Sequence, residues 1–217
     1  MVLAPSSPRD AHRKFLNSYY RATRHVYDLT RKFYLFGRDQ TIENLLSHPW
    51  QSLIEVGPGT GRNLKKLHQA RPSAEYGGID ACDSMIAHAS RRLPWARFRH
   101  GFAEDADFAL FSRPAERILF SYCLSMVQSP RASLEHALRA LATGGRLIVV
   151  DFANFGDAPP KLKRVFHQRW LQPFHVKPLE ESLFSGLSAH VSYGAYRYFL
   201  IAEIEKPDGN SAESRAT

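Results

Sequence analysis

Along the chain, short apolar-rich runs alternate with stretches in which apolar residues return every three or four positions. The runs at 53–56, 75–80, 96–101, 117–122 and 146–152 predict strands, because glycine or polar turn residues bound them. Helical spacing between them predicts one helix ending near Ala70 and one over 83–93 with Asp83 as its cap. A third is predicted over 132–141, before a stop at Gly144-Gly145. Such alternation builds a mostly parallel sheet with helices on both faces, an α/β fold. Two alternating runs, 189–193 and 197–204, follow, and Gly194-Ala195 between them predicts a hairpin. Upstream, 10–36 has a helical, heavily basic pattern that Gly37 would stop, and Asp39 is expected to cap a short helix through Leu46. Residues 1–9 and 207–217 are expected to be disordered tails, leaving 10–206 as a single domain without internal repeats.

One turn carries most of the chemical information. From Leu53 to Leu64 the chain reads as a buried strand, a tight glycine turn and a helix start. Glycines there let the backbone bend sharply and bring a ligand against main-chain N–H groups. Gly57, Gly59 and Gly61 are spaced Gly-x-Gly-x-Gly, unlike the dinucleotide Gly-x-Gly-x-x-Gly. Arg62-Asn63 stands where a phosphate loop would need Lys-Ser or Lys-Thr. Glu55 precedes the turn. Asp80 ends the following strand, where an acid about 20 residues on holds a ribose diol in nucleotide-type folds.

Charge and cysteine content narrow the partners. The 29 basic and 21 acidic residues give a formal charge of +8, which suits a polyanion or an anionic membrane face. Cys82 and Cys123 fall inside ordered elements without ligand spacing, so buried thiols and no metal are expected. No apolar run approaches a membrane span and the first residues lack a signal-peptide pattern, so a cytoplasmic location is expected. The basic segment 161–172 is amphipathic: Leu162, Val165, Phe166 and Trp170 can share a face. Such a helix lies in a membrane interface or simply covers the sheet. Phe33-Tyr34-Leu35-Phe36 is a second apolar contact or part of the core.

The glycine turn with Glu55 and Asp80 resembles the first motif of class I S-adenosylmethionine (SAM) methyltransferases. The order of elements resembles that whole fold: a Rossmann-like, seven-stranded, mostly parallel sheet with a C-terminal antiparallel hairpin and N-terminal lid helices. Leu141-Ala142-Thr143-Gly144-Gly145-Arg146-Leu147 looks like the loop before its fifth strand, and Asp83-Ser84-Met85 like the segment over the adenine. The resemblance implies SAM as cofactor and S-adenosylhomocysteine as product. It implies cofactor contacts at Glu55, Gly57, Gly59, Gly61, Asp80, Ala81 and Met85. Many relatives carry an Asp after the third strand; this chain has Gly101-Phe102-Ala103-Glu104 instead. That departure leaves the Phe102 ring, the Ala103 main chain and Glu104 as candidates for the base.

A narrower resemblance lies outside the cofactor motif. Tyr27-Asp28-Leu29-Thr30-Arg31-Lys32-Phe33-Tyr34-Leu35-Phe36-Gly37-Arg38-Asp39 is similar to an N-terminal signature of bacterial betaine-lipid methyltransferases. Phe120-Ser121-Tyr122-Cys123-Leu124-Ser125-Met126 and Phe174-His175-Val176 look like further signatures of that family. This implies three successive methyl transfers to the amine of diacylglyceryl-homoserine, giving diacylglyceryl-N,N,N-trimethylhomoserine at the inner membrane face. It also implies a lid at 10–47, a SAM-binding core at 51–152 and a substrate lid at 159–180.

Methyl transfer to an amine needs alignment and a free lone pair, and the first two methylations each release a proton. Ser121 and Tyr122 are expected at the acceptor edge, Tyr122 as partner to the amine or as a packed aromatic. His175 is a candidate base or an exposed loop histidine. Tyr20, Arg24, Tyr27, Arg31 and Tyr34 recur at steps of four and three, so they share a helical face. That face suits a carboxylate, with Arg38, Arg169 and Lys177 as further substrate-binding candidates, or a solvated surface with tucked tyrosines. The Asn-Pro-Pro-Tyr motif of nucleic-acid amino methyltransferases is absent at 121–124. Alternatives kept open are phosphatidylethanolamine or a small amine as acceptor, and a non-catalytic nucleic-acid-binding protein of this fold.

Overall fold

In the computed structural model, residues 35–172 and 176–207 are described. The two predicted tails except Pro207, residues 10–34 of the helix expected over 10–36, and His175 lie outside them. Seven strands form one sheet: β1 (Ser52–Val56), β2 (Glu75–Asp80), β3 (Arg97–His100), β4 (Arg117–Ser121), β5 (Arg146–Phe152), β6 (Ala189–Tyr193) and β7 (Phe199–Glu205). Their order is β3-β2-β1-β4-β5-β7-β6. β1 to β5 pair in parallel, and β7 runs antiparallel to both β5 and β6. The helices are α1 (Arg38–Leu46), α2 (Arg62–Ala70), α3 (Asp83–Arg92), α4 (Pro130–Ala140) and α5 (Pro160–Phe166).

Successive residues of the central strands enter opposite cores. Ile54, Ile118 and Leu147 meet Leu134 and Ala137 of α4 on one face. Leu53, Leu119 and Ile148 meet Leu64 and Leu67 of α2 and Ile42 and Leu45 of α1 on the other. Burial from both sides is why these strands read as unbroken apolar runs. Each fully buried leucine contributes roughly 1.5–3 kcal/mol of transfer free energy. The edge strand β3 instead reads Arg-Phe-Arg-His, charged enough to discourage pairing with another chain.

Local chemistry moved several boundaries. Gly37, not Asp39, caps α1, in the left-handed region at φ 81. A Cβ at Gly37 would overlap the Phe199 ring. Asp39 sits in the first turn, where its carboxylate meets Lys66 Nζ at 2.8 Å and favours the positive helix end. Cys82 rather than Asp83 precedes α3, and α4 starts two residues early because Pro130 suits a first helical position. The β6–β7 hairpin turns through a 3-10 segment, Ala195–Arg197, longer than a Gly-Ala turn. α5 runs on into a π-helical turn, His167–Leu171, and has no buried residue.

The strand order reverses between β1 and β4. In open α/β sheets ligands bind beyond the carboxyl ends of the strands at such a switch point. The glycine turn follows β1 there and Tyr122 follows β4.

Candidate active site

A cleft of about 760 Å³, counting its open mouth, lies at this switch point. One wall comes from the turns after β1, β2 and β3. Gly57 and Gly59 line it with positive φ, 68° and 56°. A Cβ on Gly57 would stand 2.7 Å from Cys123 Cβ, whereas one on Gly59 meets nothing within 4 Å. The first glycine therefore permits close packing behind the turn, and the second leaves room for a ligand. Asp80 enters the same cleft. Its Oδ2 accepts from the Gly59 N–H at 3.3 Å and its Oδ1 from the Cys82 N–H at 2.9 Å, so one carboxylate joins both turns. Ala81, Met85, Phe102, Ala103 and Glu104 complete this wall. Glu104 Oε1 accepts from the Ser129 N–H at 3.3 Å and so ties the rim to the loop before α4.

The other wall comes from the end of β4. Tyr122 and Cys123 line it, followed by Met126, Val127 and Gln128. Tyr122 is buried in the left-handed region at φ 54. That conformation costs a non-glycine residue roughly 1–2 kcal/mol, and surrounding contacts hold it. Its hydroxyl donates to the Phe36 carbonyl, and its ring meets Phe152 edge-on at 4.7 Å. Burial first, then nearby Asp151, pushes the phenol well above its usual pKa, so it stays neutral. The Cys123 thiol donates to the Val56 carbonyl at 3.0 Å, and burial likewise keeps it protonated.

Two buried acids stand behind these walls. Glu55 lies outside the cleft lining; its Oε1 accepts from Asn63 Nδ2 at 2.7 Å, and Asn63 Oδ1 accepts from Arg38 Nη2 at 3.0 Å. Burial raises Glu55 to about 7, with Asp80 adding to it and Arg38 and Asn63 opposing. Asp151, fully buried at the end of β5, accepts from the Ser125 N–H at 3.0 Å and the Phe152 N–H at 2.8 Å. Burial raises it to about 6, against those hydrogen bonds.

The structure thus brings Gly57, Gly59, Asp80, Ala81, Met85, Phe102, Ala103, Glu104 and Tyr122 together at one cleft. Gly61 and Ser121 lie just outside its lining; Gly61 caps α2, and the Ser121 hydroxyl is buried without a hydrogen-bond partner among the described residues. Arg38 turns inward to Asn63, whereas Arg169 and Lys177 are exposed. Tyr20, Arg24, Tyr27, Arg31 and His175 fall outside the described residues. Sequence reasoning missed Asp151, although a strand-ending acid after an apolar run was a visible signal. It also missed Met126, although that residue ends the Phe120–Met126 stretch singled out above, and Val127 and Gln128, for which no local pattern existed. Among the described residues no group of three or more His, Cys, Asp or Glu side chains could hold a metal ion.

Comparison with known proteins agrees with this geometry. A family profile described as a methyltransferase domain matches residues 8–189. A demethylmenaquinone methyltransferase of Beutenbergia cavernae is 30% identical over 169 residues, covering 76% of this chain and 67% of its own length. A malonyl-[acyl-carrier protein] O-methyltransferase of Anoxybacillus flavithermus is 29% identical over 56% of this chain, but only 43% of its own length is spanned. The plantazolicin methyltransferase BpumL, solved with S-adenosylhomocysteine, superposes with a TM-score of 0.68 at 16% identity, over 89% of this chain and 93% of that one. The chain belongs to the methyltransferase-domain family and is a class I SAM-dependent methyltransferase.

Proposed function

We propose that the protein transfers methyl groups from SAM to the amine of a lipid headgroup, with diacylglyceryl-homoserine as acceptor and its trimethylated betaine as final product. The residues of the cleft fit the cofactor: an open cradle at Gly59, a carboxylate at Asp80, and an apolar slot between Met85 and Phe102. Asp80 would hold the ribose diol, and the Gly57–Gly59 turn would receive the methionine part. When bound, SAM supplies a methyl group already activated on a sulfonium.

The chain's task is then to align the acceptor and keep its amine neutral. Positive charge passes to the nitrogen, and the first two transfers each release a proton. The observation that carries the acceptor class is the position of Tyr122. It lines the cleft and also touches a cluster of rings, Phe152, Phe155, Phe166 and Tyr198. Aromatic faces favour an increasingly methylated ammonium, and the apolar surroundings suit acyl chains. The N-terminal and acceptor-edge segments, which resemble signatures of betaine-lipid methyltransferases, support the same acceptor.

A second reading has its own support. The relatives include demethylmenaquinone methyltransferases, and a ring cluster also suits a planar quinol on a hydrocarbon tail. Labelled SAM with each acceptor in detergent micelles separates the two. Stepwise mono-, di- and trimethyl product from the homoserine lipid supports the first reading. Product from the quinol alone replaces it, and product from phosphatidylethanolamine alone moves the headgroup but keeps the lipid amine.

A further inference from the structure

Four large apolar side chains stand well exposed among the described residues: Phe36 at 56%, Leu162 at 46%, Val165 at 53% and Tyr196 at 58%. They come from three separate segments, yet all border one structure. Phe36 meets Tyr198 edge-on at 5.4 Å. Tyr198 meets Phe166 of α5 at 4.9 Å, and Leu162 and Val165 lie on the same short helix as Phe166. Tyr196, at φ 55, occupies the strained turn that leads into Tyr198. Phe166 packs inward against the Tyr122–Phe152 cluster, so the helix turns one ring to the core and leaves Leu162 and Val165 outside.

The charge on the helix and its extension has one sign. Lys161, Lys163, Arg164 and Arg169 are all exposed on α5 and the turn that extends it, and 158–172 contains no acidic residue. Of the acids near this face, Glu181 places its Oε2 3.4 Å from the Arg197 guanidinium, and the Asp157 charge also favours that cation. Exposed apolar groups on a cationic short helix suit the interface of a bilayer, where hydrocarbon meets anionic headgroups. A protein surface would have to offer an apolar patch ringed by carboxylates.

We propose that Phe36, Leu162, Val165 and Tyr196, ringed by Lys161, Lys163, Arg164 and Arg169, form a docking face for an anionic phospholipid bilayer. The ring cluster beneath this face continues to Tyr122 at the cleft, so docking would set the acceptor wall against the membrane. This deepens the lipid-acceptor reading, but it is measured without an acceptor.

The experiment is sedimentation of the full chain with phosphatidylcholine vesicles, with and without phosphatidylglycerol. Wild type should partition onto the anionic vesicles and come off as salt is raised. Leu162→Gln with Val165→Gln should lower the partition coefficient about tenfold. Lys161→Glu, Lys163→Glu and Arg164→Glu together should lower it by at least about fivefold per cation. Both sets lie at exposed positions and should leave SAM affinity unchanged, which checks their folding. Wild type that ignores anionic vesicles, or folded variants that bind like wild type, overturns the proposal. Dimerisation in light scattering that the apolar variants abolish, without vesicle binding, reassigns the face to a second copy of this chain. Homoserine-lipid turnover in detergent without vesicle binding would sink the docking face and leave the proposed reaction standing; vesicle binding without turnover would do the reverse.

Discussion

The two walls of the cleft are made of different material. On the wall proposed for the cofactor, the groups that line the cleft come from three successive strand-end turns, Gly57–Gly59, Asp80–Ala81 and Phe102–Glu104. Two of these turns are tied together by main-chain N–H groups of Gly59 and Cys82 that donate to one carboxylate, Asp80. On the acceptor wall, Tyr122 is held by Phe36 from before α1, Phe152 from β5, and rings carried by α5 and the β6–β7 turn. Among the described residues, four non-glycine residues have positive φ, Tyr122, Phe155, Tyr196 and Arg197, and all lie on this side. The cofactor wall uses glycine where the backbone bends. The acceptor wall forces ordinary residues into the same region and offsets the strain with aromatic packing.

That contrast can be broken or sharpened by substitution. The largest effect is expected at Gly57→Val. A Cβ would press on Cys123 at a φ that a β-branched residue avoids, so stability should fall by about 4 kcal/mol and SAM binding with it. Denaturant titration with calorimetry checks this; a stable variant with full affinity would mean the turn is not packed as described.

Next comes Asp151→Asn. The folded-state pKa of Asp151, about 6, lies above its ordinary value of 3.8. The stability this carboxyl contributes is therefore complete below 3.8 and declines as pH rises through 6, by on the order of 3 kcal/mol. Asn should flatten that part of the stability profile. Glu55, raised to about 7, would leave a residual slope of the same sign. An unchanged profile would place the titration elsewhere.

Asp80→Ala should weaken SAM binding by about 2 kcal/mol through lost charge-assisted hydrogen bonds. Calorimetric affinity equal to wild type in a folded variant would refute the ribose assignment. The smallest effect belongs to Tyr122→Phe, which removes the hydrogen bond to the Phe36 carbonyl at a cost of about 1 kcal/mol in stability. It should slow single-turnover methyl transfer more than it changes SAM affinity. The reverse split would move Tyr122 to the cofactor wall.

Much of the glycine-turn side of the cleft was legible in advance. The strands, the glycine turn, Asp80, and the Ala81, Met85 and 102–104 contributions all fell at one cleft, because each depends on residues close in sequence to a strand end. Glu55 was legible as a strand residue, but its carboxyl accepts from Asn63, itself held by Arg38, instead of joining the cleft lining. Strand alternation fixes which face a side chain takes, and only the helix packed on that face decides its partner. The same holds for α5. Its apolar positions were plain, but Phe166 turned inward while Leu162 and Val165 stayed out, which depended on Tyr198 and Phe155 arriving from elsewhere.

By itself, then, the sequence determined the α/β alternation, the parallel core with its antiparallel end, and the glycine turn, since periodicity and backbone bending are local properties. Only the tertiary structure decided that Tyr122 gives its hydroxyl to Phe36, that Asp151 is sealed behind the acceptor edge, and that Phe36, Leu162, Val165 and Tyr196 surround one ring cluster. Those arrangements join residues many tens of positions apart, and burial and ring packing between such segments leave no periodic trace in the chain.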